Sequence, residues 1–247
     1  MIYAPSSDIS QEERDLLADY ASEGGKLFVA AGPVPDSDLD NLYSLLADYG
    51  IEANEGVVVE PDREHYSLQG PLSLLATMSS HAITDSLIEE NYYPTMFISL
   101  GLTVPQDSES VTALLTTSES AFSKLDGYDM TDYEKEDGDI DGPFALAVSI
   151  DTAGEGQIVW FTSSHFLDDM HNAVSSGANA NLSMNALSSL IGETEAMAIR
   201  SKSLNYNYLT ISDSTASLLK VLMIGVFPLA YLGIGVVVAL RRRRLQN

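Results

Sequence analysis

Gly24-Gly25-Lys26-Leu27-Phe28-Val29-Ala30-Ala31-Gly32-Pro33 is the stretch that decides the fold class. The glycine pair ends a preceding helix, Lys26 to Ala31 forms a strand that is apolar after its first residue, and Gly32-Pro33 breaks it. A strand without polar alternation is buried on both faces, as a parallel strand covered by helices is. The flanking sequence supplies those helices. Upstream, Ile2-Tyr3-Ala4-Pro5 reads as a short strand running into a loop. Ser10-Gln11-Glu12-Glu13 is a capping box opening a helix to about Ser22, with Leu16, Leu17 and Tyr20 on one face. Downstream, a second helix runs from Asp36 or Ser37 to Tyr49, with Leu39, Leu42, Leu45 and Leu46 as its apolar stripe and Gly50 as its stop. Val57-Val58-Val59 is a third short strand. Strand, helix, strand, helix, strand with short connections predicts an α/β fold with a parallel sheet.

Beyond Pro61 the pattern changes. His81-Ala82-Ile83-Thr84 leads into a short helical turn, Thr95 to Leu102 is strand-like, and Val111 to Thr117 alternates as a half-buried strand does. Phe144 to Ile150 and Gln157 to Thr162 form an antiparallel pair across the turn-rich Asp151-Thr152-Ala153-Gly154-Glu155-Gly156. A last domain helix is expected from about Asn179 to Ile191.

Val221 to Leu240 carries no charge, Lys220 closes one end, and Arg241-Arg242-Arg243-Arg244 the other. A helix of about twenty apolar residues matches the roughly 30 Å hydrocarbon thickness of a bilayer, and Pro228 is compatible with one. The organisation expected is an extracytoplasmic domain over residues 1–192, a stalk over 193–217, a single transmembrane helix over 218–240 and a basic tail over 241–247. The arginines place that tail in the cytoplasm and the domain outside the plasma (cell) membrane. Met1-Ile2-Tyr3-Ala4-Pro5 has no basic n-region, apolar core or cleavage site, which leaves two readings: the C-terminal piece of a longer protein, the preferred one, or a tail-anchored protein facing the cytosol. Gly225, Gly233 and Gly235 could allow a neighbouring helix to approach closely, although their spacing is not small-xxx-small.

The 247 residues carry 36 acidic and 12 basic side chains, a formal charge of -24. Setting aside Lys220 and the four arginines leaves 7 basic residues against 36 acidic ones, or -29. Such a field repels nucleic acid and anionic lipid, and suits cationic or calcium-bridged partners. The chain has no cysteine, which removes disulfides, thiolate metal sites and a cysteine nucleophile together.

Four histidines are present, His65, His81, His165 and His171, none in a His-Glu-x-x-His pattern. Ser163-Ser164-His165-Phe166-Leu167-Asp168-Asp169-Met170-His171 holds the elements of a serine–histidine–aspartate triad and of a zinc site from His165, Asp169 and His171. Triad members seldom share one loop, and no Gly-x-Ser-x-Gly elbow occurs, so a polar loop after an interior strand is the preferred reading. Within the acidic stretch Asp126 to Asp141, Asp137-Gly138-Asp139-Ile140-Asp141-Gly142 matches half a calcium loop, but the position of its bidentate glutamate is Val148. A solvated acidic loop is preferred. Gly24-Gly25-Lys26 lies at a helix-to-strand passage, the reverse of a phosphate loop, so the chain is not the ATPase of a transporter. No catalytic, cofactor-binding or metal-binding residue is assigned, and no enzymatic activity is expected.

Several segments, in order along nearly the whole chain, resemble the auxiliary component of an uncharacterised ABC-type transport system, related to the gliding-motility ABC transporter auxiliary protein. They are Ser7 to Glu13 through Gly24-Gly25-Lys26-Leu27-Phe28-Val29; His81-Ala82-Ile83-Thr84; Leu114-Leu115-Thr116-Thr117-Ser118 with Gly142-Pro143-Phe144-Ala145-Leu146-Ala147-Val148; and Lys202-Ser203-Leu204 through the arginine cluster. Ala82 stands where the family has a proline. The resemblance implies a glutamine-amidotransferase-like (flavodoxin-like) domain with added antiparallel strands, and ABC permease and ATPase subunits as partners, with an envelope component as a further candidate. It brings no catalysis, because the amidotransferase nucleophile is a cysteine. The function implied is a membrane-anchored scaffold or substrate-engaging subunit. The rival readings are an extracytoplasmic carbohydrate- or peptide-binding module and a hydrolase using the 163–171 loop.

Overall fold

The computed structural model describes residues 1–35, 37–105, 108–192 and 213–244. The chain divides into two units, Met1–Asn207 and Tyr208–Asn247. The first opens with β1 (Ile2–Tyr3), α1 (Gln11–Ser22), β2 (Lys26–Ala30) and α2 (Asp40–Ala47). Next come β3 (Glu52–Ala53), β4 (Val57–Val59), β5 (Ser73–Leu74), β6 (Thr77–Met78), α3 (Asp85–Glu90), β7 (Met96–Phe97), β8 (Leu102–Thr103) and β9 (Val111–Thr116). It continues through β10 (Phe122–Lys124), β11 (Ile140–Asp141), β12 (Ala145–Asp151), β13 (Gln157–Phe161), α4 (Asp169–Val174) and α5 (Ala178–Ile191).

The capping box of α1 forms in full: the Glu13 amide donates to Ser10 Oγ at 3.2 Å and the Ser10 amide to Glu13 Oε2 at 2.8 Å. α2 is capped differently. It starts at Asp40, not at Asp36 or Ser37, because the carboxylate of Asp8 accepts from the Asn41 and Leu42 amides at 2.8 and 3.0 Å. A cap delivered from the β1–α1 loop replaces the local one that the sequence suggests.

The main sheet is mixed. β2 runs parallel to β1 on one side and to β13 on the other. β13 is antiparallel to β12, as expected of Phe144–Ile150 and Gln157–Thr162, and β12 is antiparallel to β9. Two expectations are corrected here. β4 does not extend the parallel sheet; it pairs antiparallel with β10 in a separate three-stranded sheet completed by β11. Its place beside β2 belongs to Gln157–Phe161, an equally apolar strand about 130 residues downstream of β2. Thr95 to Leu102 is likewise not one strand, because the non-glycine Ile98 turns to φ 49° between β7 and β8.

Alternation along the central strands shows why they carry no polar face. Leu27, Val29, Ile158 and Trp160 point into one core with Leu42, Leu45 and Leu46 of α2. Phe28, Ala30, Val159 and Phe161 point into the other with Leu182 and Ala186 of α5. Both faces are therefore covered by helices, the three-layer arrangement inferred from the apolar strand. The stripe expected on α1 is not buried as a unit: Ala21 is buried, whereas Leu16 and Tyr20 are exposed. α1 packs through Leu17, Ala18 and Ala21 because its axis is set by the contact with α2 and not by its most apolar face.

In the second unit, α6 (Asp213–Lys220) runs through a π-helical turn, Val221–Val226, into α7 (Phe227–Arg244). Pro228 accounts for the turn: it has no amide to offer the Ile224 carbonyl and its ring crowds that carbonyl, so the preceding turn widens. The span expected over 218–240 is thus not a single uninterrupted α-helix. Among the described residues, no helix is by itself long and apolar enough to cross a membrane. The expected stalk over 193–217 lies outside the described residues as far as 212, and 213–217 belongs to α6.

Candidate functional site at the carboxyl ends of the parallel strands

The three parallel strands β1, β2 and β13 end on the same side of the sheet, where open α/β sheets hold their ligands. Tyr3 ends β1, Gly32 follows β2, and the loop 162–168 leads from β13 into α4. That loop is fastened from several directions. Ser163 Oγ donates to Phe97 O at 2.5 Å and accepts from the His165 amide at 3.2 Å. Ser164 Oγ accepts from the Gly32 amide at 2.9 Å. Asn179 of α5, wholly buried, accepts from Thr95 N and donates to Thr95 O and Phe166 O, all within 2.9 Å.

So held, the loop brings His165, Asp168 and His171 together, with one ligand-type atom from each lying within 4.8 Å of the others. His165 Nδ1 and Asp168 Oδ2 are 2.9 Å apart, and the Tyr3 hydroxyl donates to Asp168 Oδ1 at 3.2 Å. The His165 and Asp168 side chains remain 39% and 45% exposed. His171 is only 2% exposed and stacks on Phe97 at 4.2 Å between ring centroids, while its Nδ1 has no hydrogen-bond partner among the described residues. Burial, seconded by His165, holds the His171 pKa below its ordinary value, and Asp168 opposes this. The Tyr3 hydroxyl is pushed up, first by burial and then by Asp168. Ala4 and Ile98, the residues after Tyr3 and Phe97, have φ of 45° and 49°, so backbone strain sits beside the cluster just past the ends of two separate strands.

The carboxylate that joins the two histidines is Asp168, not Asp169 as in the zinc set considered from sequence. Asp168 stands in extended conformation before α4, three residues from each histidine, whereas Asp169 is already in the helix and exposed. The serine triad does not form: the Ser163 and Ser164 hydroxyls are committed to backbone groups. His81 and His65 lie elsewhere. His81 Nδ1 accepts from the Ile83 amide, and His65 lies 4.0 Å from Asp62.

The acidic stretch has a structural employment that the sequence did not reveal. Lys124, 1% exposed, donates to Glu134 O at 2.7 Å and lies 3.2 and 3.6 Å from the carboxylates of Glu136 and Asp132. Desolvation would lower its pKa, but the Glu136 hydrogen bond and the surrounding carboxylates raise it. Asp139 accepts from the Leu125 and Glu136 amides, and Asp141 pairs with Lys135. Two members of the half calcium loop are thus engaged within the protein.

Gly32 permits the close approach of β2 to the loop. A Cβ there would lie 2.8 Å from Ser164 N and 3.0 Å from Ser163 Cα, both backbone atoms. Gly32→Ala is expected to cost about 1–3 kcal/mol as an overpacking substitution. Urea unfolding followed by the single tryptophan, Trp160, checks this; a change below about 0.5 kcal/mol would show that the loop yields freely.

No protein-family model matches the chain, and no curated protein matches it. Among solved structures, the chain is similar to one titled "mmIFT52 N-terminal domain", with a TM-score of 0.55 and 17% identity, over 80% of this chain and 77% of that one. A second, "Cytoplasmic Protein STM1381 from Salmonella typhimurium LT2", gives 0.39 and 16% over 72% of this chain and 60% of the other. The first likeness is one of fold alone.

Proposed function

We propose that the chain is a non-enzymatic, membrane-anchored auxiliary subunit of an ABC-type transport system, with its α/β domain outside the cell membrane. The observation that carries the anchor is the surface of the second unit. Val221, Met223, Ile224, Val226, Phe227, Leu229, Tyr231 and Leu232 are all exposed large apolar side chains on consecutive helical segments. Lys220 and Phe227 both keep right-handed helical dihedrals, so α6, the π turn and α7 follow one another without a non-helical residue. The turn is too short, and α7, 18 residues long, ends in four arginines, but the twenty uncharged residues together reach about 30 Å. The arginines at 241–244 favour the cytoplasmic side for that end. The transport assignment rests on the sequence resemblance, and the mechanism consistent with it is scaffolding: the anchor against permease helices, the domain toward a substrate or envelope component.

Topology reporters fused at residue 5 and residue 247 in the native gene context test the orientation. An outside signal at 5 and an inside signal at 247 are expected, together with copurification of an ABC permease. A cytoplasmic domain, or an extracytoplasmic one that copurifies with no permease, would overturn the transport reading.

A further inference from the structure

We propose that His165, Asp168 and His171 form a binding site for a divalent transition-metal ion of the zinc class, with three protein ligands and a further position open to solvent or an anionic ligand. The donor set is two imidazoles and one carboxylate on adjacent loop and helix positions, with ligand atoms within 4.8 Å of one another. A tetrahedral ion with bonds near 2.0–2.1 Å spaces its ligand atoms by about 3.3 Å, so the wider spacings must close modestly while the His165 Nδ1–Asp168 Oδ2 pair, at 2.9 Å, opens slightly and exchanges its hydrogen bond for the ion. His165 and Asp168 have the exposure to make that adjustment, and they leave a path for the ion to enter.

The second observation is His171. A histidine 2% exposed whose Nδ1 has no partner among the described residues bears a desolvation penalty that nothing among them repays. The His165–Asp168 hydrogen bond accounts for those two residues as a structural pair, but not for a third polar ring buried against them. A metal ligand accounts for all three, since imidazole binds such ions in its neutral form, which burial of His171 favours. Tyr3 fits as an outer partner, holding Asp168 through Oδ1 while Oδ2 faces His165. The ring of Phe97 shields one face of His171 from water. Calcium and magnesium fit poorly, because they require six or more oxygen ligands and the cluster supplies few. Two nitrogens with one carboxylate and an open position favour zinc-class ions. The formal charge of -24 adds a long-range attraction for cations. This site is independent of the membrane and transport reading and stands or falls separately from it.

The full chain in detergent, stripped with chelator, would be titrated with Zn2+ and Co2+ in excess Mg2+, which occupies scattered surface carboxylates. A single Zn2+ per chain, a rise in thermal midpoint and the visible spectrum of four-coordinate Co2+ are expected. Asp168→Asn and His165→Asn, both at partly exposed positions, should each weaken affinity by about 100-fold while leaving Trp160 fluorescence native. Absence of binding to the unmodified chain would overturn the proposal. So would unchanged affinity in the two natively folded variants, which would assign the binding to the acidic surface.

Discussion

Asn179→Ala is expected to destabilise the first unit by about 3–5 kcal/mol, because it strips partners from buried backbone groups on two separate loops. The side-chain amide uses its full donor capacity: Nδ2 donates to Thr95 O and Phe166 O, and Oδ1 accepts from Thr95 N. Alanine leaves that amide and both carbonyls unsatisfied where water has no access, and each costs about 1–3 kcal/mol. Urea unfolding monitored through Trp160, buried in the same unit, reads the loss directly. Asn185→Ala is the comparison. It removes only bonds to Ile83 O and Ser86 Oγ at a part-buried position, and about 1 kcal/mol is expected. A loss at Asn179 no greater than that at Asn185 would refute the clamp. The consequence reaches the histidine cluster, since Asn179 ties the backbone at Thr95, two residues before Phe97, to that at Phe166, next to His165.

Leu229→Arg with Leu232→Arg should release the chain from membranes. Each arginine near the middle of a spanning helix costs about 2.5–3.5 kcal/mol on insertion, so the pair costs about 5–7 kcal/mol. Both leucines are exposed in the second unit, so the substitutions remove no buried contact there. Alkaline carbonate extraction of membranes from cells expressing the 247-residue chain makes the measurement. The unmodified chain and the Leu229→Ala/Leu232→Ala variant are expected in the extracted pellet, and the double arginine variant in the supernatant or in aggregates. Retention of the arginine variant as an integral protein, or release of the unmodified chain, would remove the anchor.

The elements most legible from sequence were those whose causes are local. Ser10 and Glu13 cap α1 through atoms three residues apart, and the apolar run from Leu27 to Ala30 implies burial whatever its neighbours are. The pairing of β12 with β13 was legible for a similar reason, since one short turn joins them. What differs from the sequence expectation depends on distant partners. Val57–Val59 and Gln157–Phe161 are both short and apolar, and nothing within either says which one lies beside β2. The beginning of α2 lies later than its local sequence suggests because its cap, Asp8, lies about thirty residues upstream.

The α/β class, the helix-covered character of the central strands, the absence of cysteine chemistry and an uncharged C-terminal run bounded by basic residues are all legible in the order of residues. These follow from side-chain type and short-range periodicity, which any fold must respect. The mixed sheet, the closing of the acidic stretch over Lys124 and the place of Asp168 rather than Asp169 between two histidines emerge in the folded chain alone. Those outcomes depend on which segments meet and on which way a side chain points at the end of a strand. There, a Tyr3 from the first strand and an Asn179 from the last domain helix act on one loop. Burial of His171 beneath Phe97 is a property of that meeting and of no residue in it alone.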